Sequence, residues 1–171
     1  MNLTKINNNV QSRLNKYLLN YQPLMSIVKQ IDKKGGRALL VGGAVRDLLL
    51  GIEVKDFDIE VHKIGLSELQ DILQMFGPVS LVGKSFGVLR LHGLDVDWSL
   101  PRVDSVGRKP LVKIDPHMGF ESSFLRRDLT INAMGIDLMS YNLIDPFGGV
   151  EHLSEKILHA TSKHQKICLP N

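Results

Sequence analysis

One cysteine, Cys168, and one tryptophan, Trp98, stand in 171 residues, and only 6% of the chain is aromatic. A lone cysteine excludes an internal disulfide framework and a Cys-rich structural zinc site, and it fits a reducing, cytoplasmic setting. Cys168 has no evident partner and reads as incidental. The six histidines show no tight zinc spacing. No apolar run approaches the roughly 20 residues of a membrane-crossing helix, and the polar start Met1 to Asn9 is not a secretory signal, so no membrane partner is expected. Charge of one sign is also scarce, at +3 net. A basic face for RNA is permitted by that balance but not demanded by it. Repeats and low-complexity stretches are absent. With 43% hydrophobic residues, the chain has enough apolar material for one ordinary core.

The hydrophobic pattern orders the chain coarsely. Leu3 to Asn20 and Pro23 to Lys34 read as two helices parted at Tyr21-Gln22-Pro23, with Gly35-Gly36 ending the second. From Ala38 the pattern runs strand, helix, strand, helix through Leu66 to Phe76, where Gly77-Pro78 breaks it. Val79 to Val82, Val88 to Leu91 and Val96 to Leu100 read as strands, the last two joined at His92-Gly93. Ala133 to Leu138 and Tyr141 to Ile144 form a hairpin around Met139-Ser140, and Val150 to Ile157 a closing helix. The expected fold is α/β (α+β), a mixed sheet with helices on one side. The expected divisions are a helical segment over 1–36, the main domain over 37–161 and a tail over 162–171.

The chemistry concentrates in residues 41–60. Arg37 to Val41 is a mostly apolar strand, Gly42 and Gly43 free the backbone of Cβ atoms, and Ala44 to Leu50 forms one or two helical turns stopped by Gly51. Such a turn lets a phosphate approach the main chain, where a helix start offers unpaired N–H groups. Arg46 lies in the first turn, placed to clamp a phosphate in bidentate fashion. Asp56 and Asp58 then stand two apart in a stretch of strand character, which puts both carboxylates on one face and Phe57 and Ile59 on the other. Like charges so close call for a divalent cation, and oxygen-only ligation suits Mg²⁺. Read singly, a Gly-Gly is a turn and an Asp-x-Asp a solvated strand edge; together at this spacing they are more specific.

Gly42-Gly43-Ala44-Val45-Arg46-Asp47-Leu48-Leu49-Leu50-Gly51, followed by Asp56-Phe57-Asp58, resembles the signature of the bacterial-type tRNA nucleotidyltransferases (CCA-adding enzymes) and the related poly(A) polymerases. That family is a branch of the polymerase-β-like nucleotidyltransferases. Val96-Asp97-Trp98-Ser99-Leu100-Pro101-Arg102 is similar to the strand bearing the family's third carboxylate, which points to Asp97, with Asp95 as the alternative on the same face. Leu125-Arg126-Arg127-Asp128-Leu129-Thr130-Ile131-Asn132-Ala133-Met134 resembles the second signature. Its arginine and asparagine positions are associated there with phosphate and ribose recognition. Asp145-Pro146-Phe147-Gly148-Gly149 is similar to the segment that ends the catalytic head. Val103 to Met118, with Gly107, Arg108, Lys109, Pro110 and Lys113, looks like the head's mobile loop, with Asp115-Pro116 leading directly into the helix before Arg126. The resemblance covers about Leu24 to Thr161.

Taken alone, several of these residues have plainer readings. Arg126 with Asp128 is an exposed pair worth about 0–1 kcal/mol. Asn132 is a cap, Ser85-Phe86-Gly87 a turn that shapes the floor of the site at most, and Lys84 a solvated lysine. The four ordered blocks favour function for Asp56 and Asp58 above all.

The resemblance implies two-metal transfer of CMP or AMP from CTP or ATP to the 3′ end of a tRNA or another RNA. Asp56, Asp58 and Asp97 are the expected metal ligands. Gly42, Gly43, Arg46, Arg126 and Arg127 are expected to position phosphates, and Asp128 with Asn132 to sense the sugar. Lys156 to Ser162 resembles the entry to the family's base-selecting neck. The neck, body and tail regions that choose the base and grip tRNA are not expected in the remaining residues. CCA addition and poly(A) addition therefore stay unseparated, as do an active enzyme, one completed by a partner chain or self-association, and a catalytically weak nucleotide-binding head. A nucleotide-sugar glycosyltransferase is disfavoured by the Arg126 to Met134 block, which that chemistry does not require.

Overall fold

A computed structural model of the chain describes residues 4–82, 87–104 and 112–162. Strand β1 (Thr4–Lys5) and helices α1 (Asn8–Asn20) and α2 (Leu24–Lys33) come first. Next are β2 (Arg37–Val41), α3 (Gly43–Leu50), β3 (Phe57–His62) and α4 (Leu66–Gln74). Three strands follow, β4 (Val79–Val82), β5 (Val88–Leu91) and β6 (Val96–Ser99), then the short pair β7 (Arg102–Asp104) and β8 (Val112–Ile114). Helix α5 (Phe120–Phe124), a 3-10 turn at Thr130–Asn132, β9 (Gly135–Asp137), β10 (Asn142–Ile144) and α6 (Gly149–Glu155) complete the order. Eight of the described strands form one mixed sheet in the order β1-β10-β9-β2-β3-β6-β5-β4, with β3 and β6 parallel.

Alternation of side chains along the central strands separates the two faces of this sheet. Phe57, Ile59 and Val61 of β3, Val96 and Trp98 of β6, and Leu89 and Leu91 of β5 enter the main core with α1 to α4. Each fully buried large side chain there, Trp98 and Phe57 among them, contributes about 1.5–3 kcal/mol. The opposite face carries Asp58, Glu60 and His62 on β3, Asp97 and Ser99 on β6, and Arg90 on β5. Phe124 of α5 covers part of that face, packed with Leu39, Val41, Ala133 and Ile144, with Phe120 alongside. The expected mixed sheet with its main helical layer on one side is therefore present.

The differences from the sequence expectation are local. Helix α1 starts at Asn8 rather than Leu3, because the Asn7 side chain caps it by accepting from the Val10 N–H at 2.9 Å. The residues before it pair with β10 as β1. Within the expected mobile loop, β7 and β8 pair in register Arg102↔Ile114 to Asp104↔Val112. Gly107 to Pro110 lie outside the described residues, as do Lys84, Ser85, Phe86 and Cys168. A turn closed by Met118 N–H on the Asp115 carbonyl intervenes between Asp115-Pro116 and α5. The last helix ends at Glu155 because Lys156 adopts φ 59°, a left-handed conformation that stops helical continuation.

Candidate active site

The glycine turn between β2 and α3 is built as its sequence suggests. Gly42 adopts φ 75° and ψ −139°, and an added Cβ would lie 2.8 Å from Nη1 of Arg127. Glycine thus serves both the conformation and the close approach of the second signature to the first. Gly43 begins α3, whose Val45 and Arg46 N–H groups bond the Gly42 carbonyl. Gly51, at φ 80°, closes the helix.

Arg46 does not hang free in the first turn. Its Nε donates to Asp47 Oδ1 at 2.8 Å and its Nη1 to Asn132 Oδ1 at 2.7 Å. Asn132 in turn donates through Nδ2 to Asp128 Oδ1 at 3.4 Å. Arg46, Asn132 and Asp128 therefore form one chain of polar contacts between α3 and the Arg126 to Met134 block. The segment after α6 runs beside the same block, with Leu129 bridging Ala160 and the Thr161 N–H bonded to the Asp128 carbonyl.

The acids lie on the other side of the turn. Asp58 and Asp97 are Cα partners in the parallel register of β3 and β6, so their side chains project side by side from one face. Asp56 precedes β3 and, with Asp58, Asp95, Asp97, Phe57 and Arg90, lines a cleft of about 260 Å³. Burial pushes the Asp58 carboxyl above its ordinary range, the nearby Asp97 and Asp56 charges add to the shift, and Arg127 and Arg126 oppose it. Among the described residues no three His, Cys, Asp or Glu side chains converge closely enough to hold a metal ion as they stand. Asp97 Oδ1 accepts from Arg90 Nε at 2.7 Å and faces Arg90 Nη2 at 2.5 Å.

A second cleft, of about 210 Å³, shares Asp58 and Asp97 with the first but is lined by Arg102, Arg126 and Arg127 instead of further acids. The Nε atoms of Arg126 and Arg127 are buried there without a hydrogen-bond partner among the described residues. Burial lowers the Arg127 pKa, while the charges of Glu60 and Asp58 pull it back up. The acid pair therefore separates an anionic cleft from a cationic one.

Glu60 is a site residue that the sequence reading missed. It lies on the Asp58 face of β3, fully buried beneath the arginines. It accepts from Ser123 Oγ at 2.5 Å, from His62 Nε2 at 2.9 Å and from Arg126 Nη2 at 3.3 Å. Burial alone would raise its pKa, but the His62 hydrogen bond and charge, the Ser123 hydroxyl and the Arg127 charge bring it down to about 2. Period-two alternation from Asp58 was the available signal for Glu60. Arg90 was equally readable as the cross-strand neighbour of Asp97 once β5 and β6 were paired.

Residues 38–159 match the model of the Poly A polymerase head domain. A multifunctional CCA protein of Herminiimonas arsenicoxydans is 40% identical over 127 residues, covering 72% of this chain and 29% of the relative. The Thermotoga maritima CCA-adding enzyme complexed with tRNA superposes with a TM-score of 0.71 at 29% identity, covering 95% of this chain and 37% of that one. The Bacillus stearothermophilus CCA-adding enzyme in complex with CTP gives 0.66 at 29% identity over 84% of this chain and 34% of that one. The chain thus spans well under half the length of these relatives. The matched residues contain the glycine turn, the aspartate strand, the Asp97 strand and the double-arginine block in order, and the chain belongs to the Poly A polymerase head domain family.

Proposed function

We propose that the chain is the catalytic head of an RNA nucleotidyltransferase, which transfers CMP or AMP from CTP or ATP to the 3′ end of a tRNA or a similar RNA. The observation that carries this reading is the Asp58–Asp97 pair, with an acid cleft on one side and a guanidinium-lined cleft on the other. A triphosphate suits the second cleft and a cation the first.

The residues fit a divalent cation. Asp56, Asp58 and Asp97 offer only carboxylate oxygen, the donor set Mg²⁺ prefers, and the crowding that holds the Asp58 carboxyl up is relieved by positive charge. Bound there, such a cation would supply neutralisation of triphosphate charge and would favour ionisation of the RNA 3′-hydroxyl. Arg126 and Arg127 hold phosphate oxygens through the Nε–H groups that have no partner within the described chain. Gly42 gives Arg127 room to lie against the turn, and the start of α3 presents N–H groups to the same phosphates. Asp128, steadied by Asn132 and through it by Arg46, reads the ribose hydroxyls. The 3′-hydroxyl gives its proton to solvent as its oxygen attacks the α-phosphorus, the bond from that phosphorus to the oxygen bridging to the β-phosphate breaks, and pyrophosphate leaves with the displaced electron pair.

A cytoplasmic enzyme is part of the same proposal, supported by the single cysteine. Among the described residues no helix is long and apolar enough to cross a membrane. The test is incubation of the chain with labelled CTP or ATP, Mg²⁺ and a tRNA lacking its 3′ end. Incorporation that disappears in Asp56→Ala, Asp58→Ala supports the reading, and use of ATP alone assigns poly(A)-type addition. Triphosphate binding without incorporation assigns a nucleotide-binding head instead.

A further inference from the structure

Arg90, Asp97 and Asp58 stand in one row across three neighbouring strands. Asp97 is the register partner of Arg90 in the antiparallel β5–β6 pair and of Asp58 in the parallel β6–β3 pair. Backbone pairing therefore fixes Asp97 between a guanidinium and a second carboxylate, whatever the side chains do. In the structure Asp97 has turned to the guanidinium. Two of the three guanidinium nitrogens of Arg90, Nε and Nη2, converge on Asp97 Oδ1, at 2.7 and 2.5 Å. Among the described residues lining the acid cleft Arg90 is the only basic one, and it faces four aspartates there. Both partners reach solvent, with side-chain exposures of 46% for Arg90 and 36% for Asp97, so neither is locked in place by packing.

We propose that Arg90 is a resident counter-ion that competes with a divalent cation for the Asp97 carboxylate and thereby sets the cation concentration at which the Asp58–Asp97 seat fills. The inference rests on the reading of Asp97 as a cation ligand. A guanidinium keeps its proton throughout the physiological range, so it vacates Asp97 by moving and not by titrating. The threshold therefore responds to cation concentration. The Asp97 carboxylate is held by the arginine until a cation displaces it.

Mn²⁺ alone is the probe, its free concentration read by its paramagnetic resonance signal during titration of the full chain without nucleotide. The variants are Arg90→Gln, Arg90→Lys, Asp97→Asn and the double variant. Removing one positive charge a few ångströms from the seat is expected to tighten Mn²⁺ binding by roughly fivefold in Arg90→Gln. Arg90→Lys, which keeps the charge but loses the fork, is expected to fall between wild type and Arg90→Gln. Asp97→Asn is expected to weaken binding, and Arg90→Gln to tighten it by less in that background than in wild type, because the contact with Asp97 is then already lost while the arginine charge still acts on Asp58 and Asp95. Equal or weaker Mn²⁺ binding in Arg90→Gln, with Asp97→Asn still weakened, overturns the role of Arg90. Unchanged binding in Asp97→Asn overturns the ligand assignment beneath it. Thermal melting of each variant confirms that the comparison is made on folded protein.

Discussion

Asp58 and Asp97 sit opposite one another across the parallel β3–β6 pair, and two clefts of opposite charge meet at them. The strain of this arrangement falls on Asp58. Burial raises its carboxyl pKa, and Asp97 and Asp56 raise it further. An acid whose pKa is raised on folding favours the fold below its unfolded value, and that contribution is lost as pH rises through the folded value. Once ionised, Asp58 therefore weighs against the fold. Asp58→Asn is expected to raise the melting temperature at pH 7 while reducing transfer to background. Added divalent cation is expected to raise the melting temperature of the wild type more than that of the variant. Calorimetry with and without Mn²⁺ checks both.

Glu60 behaves in the opposite sense. Its pKa lies at about 2 in the fold against 4.5 ordinarily, despite the burial that works against ionisation. The stability from its contacts is present above pH 4.5 and is lost as pH falls towards 2. Glu60→Leu leaves the Arg126 and His62 side chains without their buried acceptor, and such a broken pair costs about 3–5 kcal/mol. Urea unfolding is expected to show that loss in full at pH 7 and largely erased near pH 2.

Gly42 joins backbone conformation to arginine placement. Gly42→Ala strains a residue at φ 75° and drives its Cβ towards Arg127 Nη1. A cost of about 1–3 kcal/mol in stability is expected, read by denaturant unfolding. A weaker affinity for CTP or ATP is expected with it, read by calorimetry, because Arg127 must shift.

How much of this was legible in the sequence depended on whether the signal was periodic. The two faces of β3 follow from alternation, and so does the mixed sheet under one main layer of helices. Strand β1 was invisible because Thr4–Lys5 is two polar residues whose strand state exists only through pairing with β10. The β7–β8 pair was hidden for a similar reason, since three-residue strands leave no room for a period to show. Glu60 was passed over, because alternation gives the face of a strand but not what covers it. Its burial depends on α5 and on Arg126, which lies 66 positions further along the chain. Arg46 was read as a phosphate clamp from its place in the first turn. The hydrogen bond to Asn132 that holds it could not be read from local sequence.

The polar chain from Arg46 through Asn132 to Asp128 gives a prediction about the sugar. Asp128→Ala removes the carboxylate proposed to accept from a ribose hydroxyl. A hydrogen bond to a charged group contributes about 1.5–3 kcal/mol, so the preference for CTP over dCTP is expected to fall by about tenfold or more. Asn132→Ala is expected to lower the same preference by less, because it only steadies Asp128. Competition between the two nucleotides in primer extension measures the ratio.

The central claim is that Asp56 and Asp58, beside Asp97 and the arginine-lined cleft, make this head a transferase of nucleotides to RNA. The most direct measurement is incorporation of labelled CMP or AMP into a tRNA lacking its 3′ end, by wild type and by Asp56→Ala, Asp58→Ala side by side. Incorporation by the wild type and none above background by the folded variant is the expected result. Equal extension by both would contradict the claim.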